Sequence, residues 1–345
     1  MNIAILLPFK EKYTKIGSGA VTLMVNSHLK YSKFKKTTKI YGSKTKNIFD
    51  KKNFIEIISN NFFFTNFFYV RSFKKLIDPQ TDIIEIHNRP KYFLILKKNF
   101  PRKKFCLFFH NDPLHLIGSK SIKERKYLYE KADKLIFLSC WMKNKFFKGI
   151  KNTNNKKIKI FYPGVETIKK FPKKKNIILF VGKLNEAKGY HIYQRALSKF
   201  ILINKNWRAI AVGSEPRRKI SSTKTILELG TISNKRVLNL ISVSKISVAC
   251  SCWNEPLGRL PIESSSRGSF PIVSNNGGLT ETISNKFSIL RNNNSNELFK
   301  KIQYLCNNPN KLLKFQKKVF VNFKLSLKRT TKELDRIRHS LFSHR

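Results

Sequence analysis

Acidic residues are scarce in this chain. Its 345 residues include 20 Asp and Glu against 70 Lys and Arg, which gives a net charge of +50. An imbalance of this size usually indicates a polyanionic partner, either nucleic acid or an anionic membrane. A composition rich in Lys, Asn, Ile and Phe explains part of the basic excess, but it does not explain the shortage of acid. We therefore expect attraction to a negatively charged surface.

Cysteine is also infrequent, and the five residues are odd in number. Most of them lie in apolar runs predicted as strands or helices, which favours buried free thiols over a disulfide framework. The Cys250-x-Cys252 pair lacks the second pair and the nearby histidines that a zinc site requires, so we predict no metal site. The five positions are Cys106, Cys140, Cys250, Cys252 and Cys306.

Long apolar runs are missing as well. No stretch approaches the roughly 20 apolar residues of a membrane-spanning helix. The amino terminus has no basic region before its short apolar run, which is unlike a secretory signal. These features predict a cytoplasmic location.

The length and the hydrophobic pattern indicate an α/β protein with two domains. Hydrophobic residues make up 41% of the sequence, enough for two cores. Short β-branched runs alternate with helical segments, which predicts parallel sheets. Apolar periodicity stops at Phe171–Asn176, where a proline and three lysines indicate a linker. We predict domains at 1–171 and 172–325.

The most informative stretch begins after the strand-like run Ile246 to Cys250. Pro256 disfavours a helical conformation at Glu255, which is expected in an extended loop. Gly258 permits close approach of the backbone to a ligand. Pro261 suits the first turn of a helix, which places Glu263 near a helix N-terminus that favours phosphate. Carboxylates nearby can accept bonds from sugar hydroxyls, so a ligand with both phosphate and sugar fits.

Two other glycine loops follow predicted strands. The strand-like run Phe270 to Val273 leads to Asn275-Asn276-Gly277-Gly278, and the first strand leads to Gly17-Ser18-Gly19. Loops of this kind at the carboxyl edge of an open parallel sheet are ligand sites. The residues Thr37 to Lys39 offer no acid for a ribose, which argues against a nicotinamide cofactor.

Three motifs resemble family 4 retaining glycosyltransferases of the GT-B fold. The first is Glu255-Pro256-Leu257-Gly258-Arg259 through Glu263, followed by Gly277-Gly278-Leu279-Thr280-Glu281. The second is Phe180–Gly189, which is similar to the family's diphosphate-binding strand and loop, with Lys183 where Arg is commoner. The third is Ile160–Glu166, which is similar to a Pro-Asn-Gly-Val-Asp segment. The resemblance implies two Rossmann-like βαβ domains facing each other across a cleft, with a C-terminal helix, about 326–345, crossing back.

The resemblance also implies roles for individual residues. Glu255 would hold sugar hydroxyls and Glu263 the ribose of the donor. Lys183 and Lys188 would neutralise the donor diphosphate, with help from backbone groups at Gly258, Arg259 and Leu260. From the first domain, Gly17 and Gly19 would face the donor phosphates. His110, in the run Phe108-Phe109-His110-Asn111-Asp112, would contact the sugar, and Asp112 is either a second contact or a helix cap.

The reaction implied is transfer of a sugar from a nucleoside-diphosphate-sugar to a glycan or lipid-linked acceptor, with retention. The aspartates never occur as Asp-x-Asp, the metal-binding pair of the other major transferase fold, so no metal or other cofactor is expected. Lipopolysaccharide or another envelope glycan is the expected product. The inner-membrane surface is the expected anionic partner, which makes the protein peripheral on the cytoplasmic membrane. The rival hypotheses are an inactive GT-B partner subunit and a basic nucleic-acid-binding protein.

Two segments have alternative interpretations. The basic segment 31–46 and the aromatic runs Phe62–Phe64 and Phe67–Tyr69 could grip a lipid-linked acceptor, or they could form a solvated basic strand edge and a buried aromatic helix. In the tail, Thr330 and Glu333 predict a capping box that starts a helix, with Leu334, Ile337 and Leu341 on one face. A basic amphipathic membrane helix would use the same residues.

Overall fold

The computed structural model describes residues 1–15, 17–58, 65–151, 155–215 and 225–342. The chain divides into two compact units. Unit 1 consists of Met1–Gly164 together with the segment that begins at Leu327, and unit 2 is Val165–Ser326. The aromatic run Phe62–Phe64 lies outside the described residues, whereas Phe67–Tyr69 lies in a helix, Thr65–Leu76, with Tyr69 buried and Phe67 54% exposed.

Unit 1 is built on a parallel sheet. Within the described residues the sheet has seven strands in the order β3-β2-β1-β4-β5-β6-β7. The order reverses between β1 and β4, and the carboxyl edge at such a reversal is where open α/β sheets bind ligands. The strands are β1 (Ile3–Leu6), β2 (Thr38–Ser43), β3 (Phe54–Ile57), β4 (Ile83–His87), β5 (Lys104–Phe109), β6 (Lys134–Phe137) and β7 (Ile158–Ile160).

Unit 2 repeats this topology. Its described strands form a parallel sheet of six in the order β10-β9-β8-β11-β12-β13, with the reversal between β8 and β11. The strands are β8 (Lys175–Val181), β9 (Arg208–Val212), β10 (Ile226–Glu228), β11 (Ser244–Ala249), β12 (Phe270–Ser274) and β13 (Ile289–Leu290). The predicted α/β class with two Rossmann-like sheets is confirmed.

Helices connect the strands in both units. Those of unit 1 are α1 (Ala20–Leu29), α2 (Thr65–Leu76), α3 (Pro90–Asn99), α4 (Ile122–Lys131) and α5 (Cys140–Phe146). Those of unit 2 are α6 (Tyr190–Ile203), α7 (Asn234–Val243), α8 (Leu260–Ser265), α9 (Ser295–Asn307) and α10 (Pro309–Val321). The helix α11 (Leu327–His339) follows unit 2 in the chain and packs against α1 in unit 1. Among these described helices, none is long and apolar enough to cross a membrane.

The strands of unit 2 are apolar on both faces because helices cover both. In β8, Ile178 and Phe180 pack with residues of α6 and α9. Their neighbours Ile177 and Leu179 point to the opposite face and pack with α7 residues such as Ile241. This alternation follows from the two-residue period of a strand. It explains why continuous apolar runs rather than alternating ones predict the strands.

The structure corrects the interpretation of the basic segment 31–46. That segment contains β2, which lies inside the sheet between β1 and β3. Lys39 is the exposed residue of this strand, and the other five residues are buried. The interpretation as a solvated strand edge is therefore wrong. It arises because lysines and threonines flank a short buried run on both sides.

Two smaller expectations are also wrong. The helix α11 begins at Leu327, so Thr330 lies inside it and is not an N-cap. The Thr330 hydroxyl instead pairs with His28 Nε2 at 3.1 Å. Of the cysteines, Cys106 and Cys250 are buried as expected, but Cys252 is exposed.

Candidate active site

Three loops meet at the carboxyl edge of the unit 2 sheet. They follow β8 (182–189), β11 (250–259) and β12 (275–278). The strands β8 and β11 are neighbours at the point where the strand order reverses, and β12 pairs with β11. The fold thus brings together two sequence motifs that are about 70 residues apart along the chain.

Hydrogen bonds join these loops through their backbones. The carbonyl oxygen of Ala187 accepts bonds from the N–H groups of Cys252 and Trp253 at 3.0 and 3.2 Å. The carbonyl oxygen of Glu255 accepts a bond from the N–H of Gly278 at 2.7 Å. The three loops therefore form one hydrogen-bonded surface on which side chains are held.

Glycine is required where the loops approach most closely. At Gly189 a Cβ atom would lie 1.8 Å from the carbonyl oxygen of Cys250, and φ is +71°. At Gly277 a Cβ atom would lie 2.1 Å from the carbonyl oxygen of Glu255, and φ is +68°. Any side chain would be both strained and obstructed at these positions. The backbone of Glu255 is positioned by this close contact.

Lys188 and Glu255 form an ion pair on this surface. Lys188 Nζ contacts Glu255 Oε1, and the same oxygen accepts a bond from Ser251 Oγ at 2.7 Å. The Lys188 ammonium also lies 5.3 Å from the centre of the Trp253 ring. The Glu255 side chain is 12% exposed and that of Lys188 is 32% exposed. The other oxygen of Glu255, Oε2, has no hydrogen-bond partner in the described chain.

Arg259 and Glu263 form a second ion pair at the start of α8. Arg259 donates from Nε and Nη2 to Glu263 Oε1 at 3.1 and 2.8 Å. Pro261 lies in the first turn of this helix, as predicted, and the Glu263 side chain is 6% exposed. Gly258 precedes the pair with a φ of +82°. Glu263 Oε2 likewise has no hydrogen-bond partner among the described residues.

The two carboxylates share one arrangement. In each, one oxygen is bound by a basic side chain and the other can accept a hydrogen bond from a ligand hydroxyl. The second predicted lysine, Lys183, is exposed in the loop after β8. Within the described ranges, no three His, Cys, Asp or Glu side chains are grouped so as to hold a metal ion.

In unit 1 the glycine loop contains a carboxylate. The Glu11 carboxylate would lie 2.3 to 2.7 Å from a Cβ atom at Gly19, and it accepts a bond from Thr22 Oγ1 at 3.1 Å. Gly19 is the N-cap of α1, so Glu11 lies where a phosphate would bind that helix. Gly17 has a φ of +72°, and a Cβ atom there would meet nothing within 4 Å. The predicted phosphate loop therefore has an acid beside it.

His110 follows β5 and pairs with His87 at the end of β4. His87 Nδ1 and His110 Nε2 are 2.9 Å apart, and both residues are buried. The Asn88 side chain accepts a bond from the His110 N–H at 3.3 Å. Asp112 accepts a bond from the N–H of Leu114, so it caps the following short helix, one of the two predicted alternatives.

Lys188, Glu255 and Glu263 are predicted from the sequence as site residues, whereas Ser251 and Glu11, which lie beside predicted residues in the structure, are not. Ser251 lies two residues after the end of β11 and four residues before Glu255, a spacing that could have indicated contact. Glu11 gave no local signal, because the fold and not the sequence spacing places it beside α1. The structure brings the predicted unit 2 residues to one sheet edge, and Gly17, Gly19 and His110 lie in unit 1.

Known proteins resemble the chain in sequence. Residues 166–320 match the family described as Glycosyl transferases group 1, which confirms the glycosyltransferase resemblance for most of unit 2. The spore coat protein SA of Bacillus subtilis (strain 168) is 25% identical over 235 residues, 59% of this chain and 62% of that protein. The chain thus matches less than two thirds of this curated relative's length.

Solved structures resemble the chain over nearly its whole length. A glycosyltransferase from Rickettsia africae ESF-5 is 21% identical, with a TM-score of 0.78 over 100% of this chain and 99% of that one. Anabaena Alr3699/HepE in complex with UDP-glucose is 14% identical, with a TM-score of 0.77 over 98% and 99%. At these identities the likeness concerns the fold, which is GT-B as the sequence predicted.

Proposed function

We propose that this chain is a glycosyltransferase that moves a sugar from a nucleoside-diphosphate-sugar to a hydroxyl group of a glycan or glycolipid. The observation that carries this proposal is the Lys188–Glu255 pair at the carboxyl edge of the unit 2 sheet. It lies inside the segment that matches the group 1 glycosyltransferases. A basic group can bind phosphate, and a carboxylate with one oxygen available can accept a bond from a sugar hydroxyl. The pair therefore suits a ligand that carries phosphate next to sugar hydroxyls.

In this proposal the donor lies along the three loops of unit 2. Lys183 and Lys188 bind the diphosphate, together with backbone N–H groups between Gly258 and Leu260. Glu255 Oε2 accepts a bond from a sugar hydroxyl. Glu263 Oε2 accepts one from the ribose, while Arg259 orients that carboxylate through its two bonds to Oε1.

The reaction breaks the bond between the anomeric carbon and the diphosphate oxygen. A bond to the acceptor oxygen forms on the same face of the sugar, so the configuration is retained. The acceptor proton moves to the departing diphosphate. Lys188 stabilises the negative charge that develops there, and one such donor typically contributes about 100-fold to 1000-fold in rate.

We further propose that the reaction needs no metal ion. Lysines supply the positive charge that neutralises the diphosphate. The sequence has no Asp-x-Asp pair that would hold a divalent cation. Gly17 and Gly19 remain candidates for phosphate contacts from unit 1, provided that Glu11 accommodates the ligand. His110 remains the candidate contact for the sugar.

The donor and acceptor classes are also proposals. The complex of the Anabaena protein with UDP-glucose makes a UDP-sugar the first donor to test. The net charge of +50 favours an acceptor on an anionic membrane surface, such as a lipid-linked precursor of lipopolysaccharide or another envelope glycan.

The test is nucleotide release from a panel of UDP-, GDP- and ADP-sugars, with candidate acceptors and with or without a chelator. We expect one donor class to turn over regardless of the chelator. Lys188→Met and Glu255→Gln should each lower kcat/KM by about 100-fold or more. Lys205→Met is the matched control, because Lys205 is exposed just before β9, at the opposite sheet edge.

The outcomes separate the alternatives. Turnover that requires a divalent ion would contradict the metal-free mechanism but not the transferase activity. Full activity in Glu255→Gln would contradict the proposed site. Nucleotide-sugar binding without turnover for any acceptor would favour an inactive partner subunit, and failure to bind any nucleotide would overturn the proposal.

A further inference from the structure

A chain of buried contacts connects α11 to His110 within unit 1. Arg338 donates to both oxygens of Glu85, from Nε at 2.7 Å and from Nη2 at 2.9 Å. Glu85 Oε2 lies 3.9 Å from His87 Nε2, and His87 Nδ1 lies 2.9 Å from His110 Nε2. All four side chains are buried, with Glu85 at 1% exposure. Of these four residues, the proposed function uses only His110.

Burial and neighbouring charges determine the protonation of Glu85, His87 and His110. Burial would raise the pKa of Glu85, but the charge and bonds of Arg338, with the contact from His87, lower it to about 2. Burial lowers the pKa of His87, against the opposing effect of Glu85. Burial lowers the pKa of His110 well below its usual value, and a charge on His87 would lower it further. Glu85 is therefore ionised and both imidazoles are neutral near pH 7.

Two neutral imidazoles in contact share one proton between the facing nitrogens, so two arrangements are possible. In the first, His87 is protonated on Nε2 and accepts a bond at Nδ1 from His110 Nε2–H. In the second, His87 is protonated on Nδ1, and its bare Nε2 faces the Glu85 carboxylate. The choice at His87 determines which nitrogen of His110 carries a proton.

The electrostatic field favours the first arrangement. His87 Nε2 is buried and has no hydrogen-bond partner in the described structure, and the nearest charge is the Glu85 carboxylate. That separation of 3.9 Å is about 1 Å longer than an ordinary N–H···O bond, so a small approach would complete one. Glu11 adds negative charge near His87, and Arg338 opposes it from behind Glu85. A lone pair directed at a buried carboxylate would be repelled, whereas an N–H is attracted.

We propose that Arg338, Glu85 and His87 are positioning residues that hold His110 with Nε2 protonated and Nδ1 bare, so that Nδ1 accepts a hydrogen bond from a substrate hydroxyl. The proposal rests on the function above in assigning a sugar hydroxyl as that group. His110 Nδ1 has no hydrogen-bond partner among the described residues, and unlike His87 Nε2 it is not fully buried. A neutral acceptor atom selects a hydroxyl donor and disfavours phosphate or carboxylate oxygens, which cannot donate. The specificity of His110 is thus set through three side chains that do not touch the substrate.

The first test reads the protonation directly and needs no substrate. Nitrogen-15 NMR of ring-labelled histidine distinguishes a protonated from a bare nitrogen, and His87→Gln and His110→Gln assign the two residues. We expect His110 to show a protonated Nε2 and a bare Nδ1, with His87 protonated on Nε2. A His110 protonated on Nδ1, or a doubly protonated ring at pH 7, would overturn the proposal.

A second arm tests the cause. Glu85→Gln removes the charge that orients His87, so the Nδ1-protonated form of His110 should become readily detectable. Asp335→Asn is the matched control, because Asp335 binds Arg338 without touching Glu85 or His87, and it should leave the His110 spectrum unchanged. If Glu85→Gln does not fold, the double variant Arg338→Met/Glu85→Leu removes the same carboxylate together with its charged partner, which allows the same measurement. An unchanged His110 spectrum in a folded variant that lacks the Glu85 carboxylate counts against the proposal.

A kinetic arm follows once the panel has identified a donor. Analogues of that donor that each lack one hydroxyl are then tested. With the native protein, the analogue that lacks the hydroxyl contacted by His110 should have a kcat/KM about tenfold lower than the donor. In the His110→Phe variant, the donor and this analogue should have the same kcat/KM, because the contact is already absent. If NMR confirms the protonation but no analogue's loss of kcat/KM depends on His110, the proposed substrate contact is contradicted. The proposed positioning of His110 by Arg338, Glu85 and His87 is then still supported. If the panel shows no turnover, the NMR result still decides the protonation.

Discussion

Gly277 and Gly230 have nearly the same backbone conformation but different surroundings. Their φ values are +68° and +63°. A Cβ atom would meet nothing within 4 Å at Gly230, but at Gly277 it would lie 2.1 Å from the Glu255 carbonyl oxygen. The pair separates the intrinsic strain of a left-handed residue from the cost of displacing a neighbouring backbone.

We predict that Gly277→Ala destabilises the protein more than Gly230→Ala. The substitution at Gly230 should cost about 1–2 kcal/mol, because only the left-handed conformation is penalised. The substitution at Gly277 adds a backbone collision, and it should also lower nucleotide-sugar affinity because it moves Glu255. Urea unfolding and donor binding measure both effects. Equal losses of stability in the two variants would show that the loop adapts freely.

At the scale of elements, α11 is attached to unit 1 by a buried ion pair. Arg338 is 3% exposed and Glu85 is 1% exposed, and Asp335 also accepts a bond from Arg338 at 3.2 Å. Buried ion pairs often contribute little net stability, but removing one partner leaves an uncompensated charge. The docking of the helix should therefore be weakened more by loss of one partner than by loss of both.

We predict that Arg338→Met lowers the free energy of unfolding by about 3–5 kcal/mol. Most of this loss should be recovered in the double variant Arg338→Met/Glu85→Leu, since the Glu85 charge is then gone and the Asp335 carboxylate keeps its bonds from the Ser32 hydroxyl and the Lys33 N–H. Arg336→Met, on the exposed side of the same helix, is the control and should change stability by less than about 0.5 kcal/mol. Thermal or denaturant unfolding measures all three. A double variant no more stable than the single one would contradict this account.

The sequence predicts elements well where apolar runs are long and turns are strong. The strand β8 and the helix start at Pro261 follow from local pattern, and so does the site around Glu255. The strand β2 escapes such a prediction because its buried run is short and contains Lys39. The false capping box at Thr330 arises because the tertiary bond to His28 is not visible locally.

Long-range pairs are the part of the site that the sequence could not supply. Arg338 and Glu85 are separated by 253 positions, and no spacing rule connects them. Glu11 reaches the start of α1 only because the loop after β1 folds back on itself. Such contacts depend on the order of strands in the sheet, which a single sequence does not state.

At the scale of the whole molecule, the basic excess remains the dominant property. The +50 charge creates an attractive field for any polyanionic surface, and each basic residue near an anionic membrane contributes about 1 kcal/mol. The attraction is sensitive to salt, because the Debye length falls from about 10 Å at 0.1 M to about 3 Å at 1 M.

We predict binding to vesicles that contain anionic phospholipid, with little binding to neutral ones. Binding should fall steeply as sodium chloride is raised from about 0.05 M to about 0.5 M, since screening weakens the attraction. Vesicle co-sedimentation measures both effects, with a folded acidic protein as the control. Strong binding to neutral vesicles that persists in high salt would contradict an electrostatic partner.

The division of unit 1 into two chain segments also has a consequence for synthesis on the ribosome. Residues 1–164 emerge before unit 2, and unit 2 is continuous and can complete its own core before α11 appears. During that interval Glu85 lacks its guanidinium partner, and the face of unit 1 that α1 shares with α11 is uncovered. The nascent chain should therefore hold an unfinished first unit beside a finished second one. The helix α11, synthesised after unit 2, thus completes a unit that began to fold before unit 2.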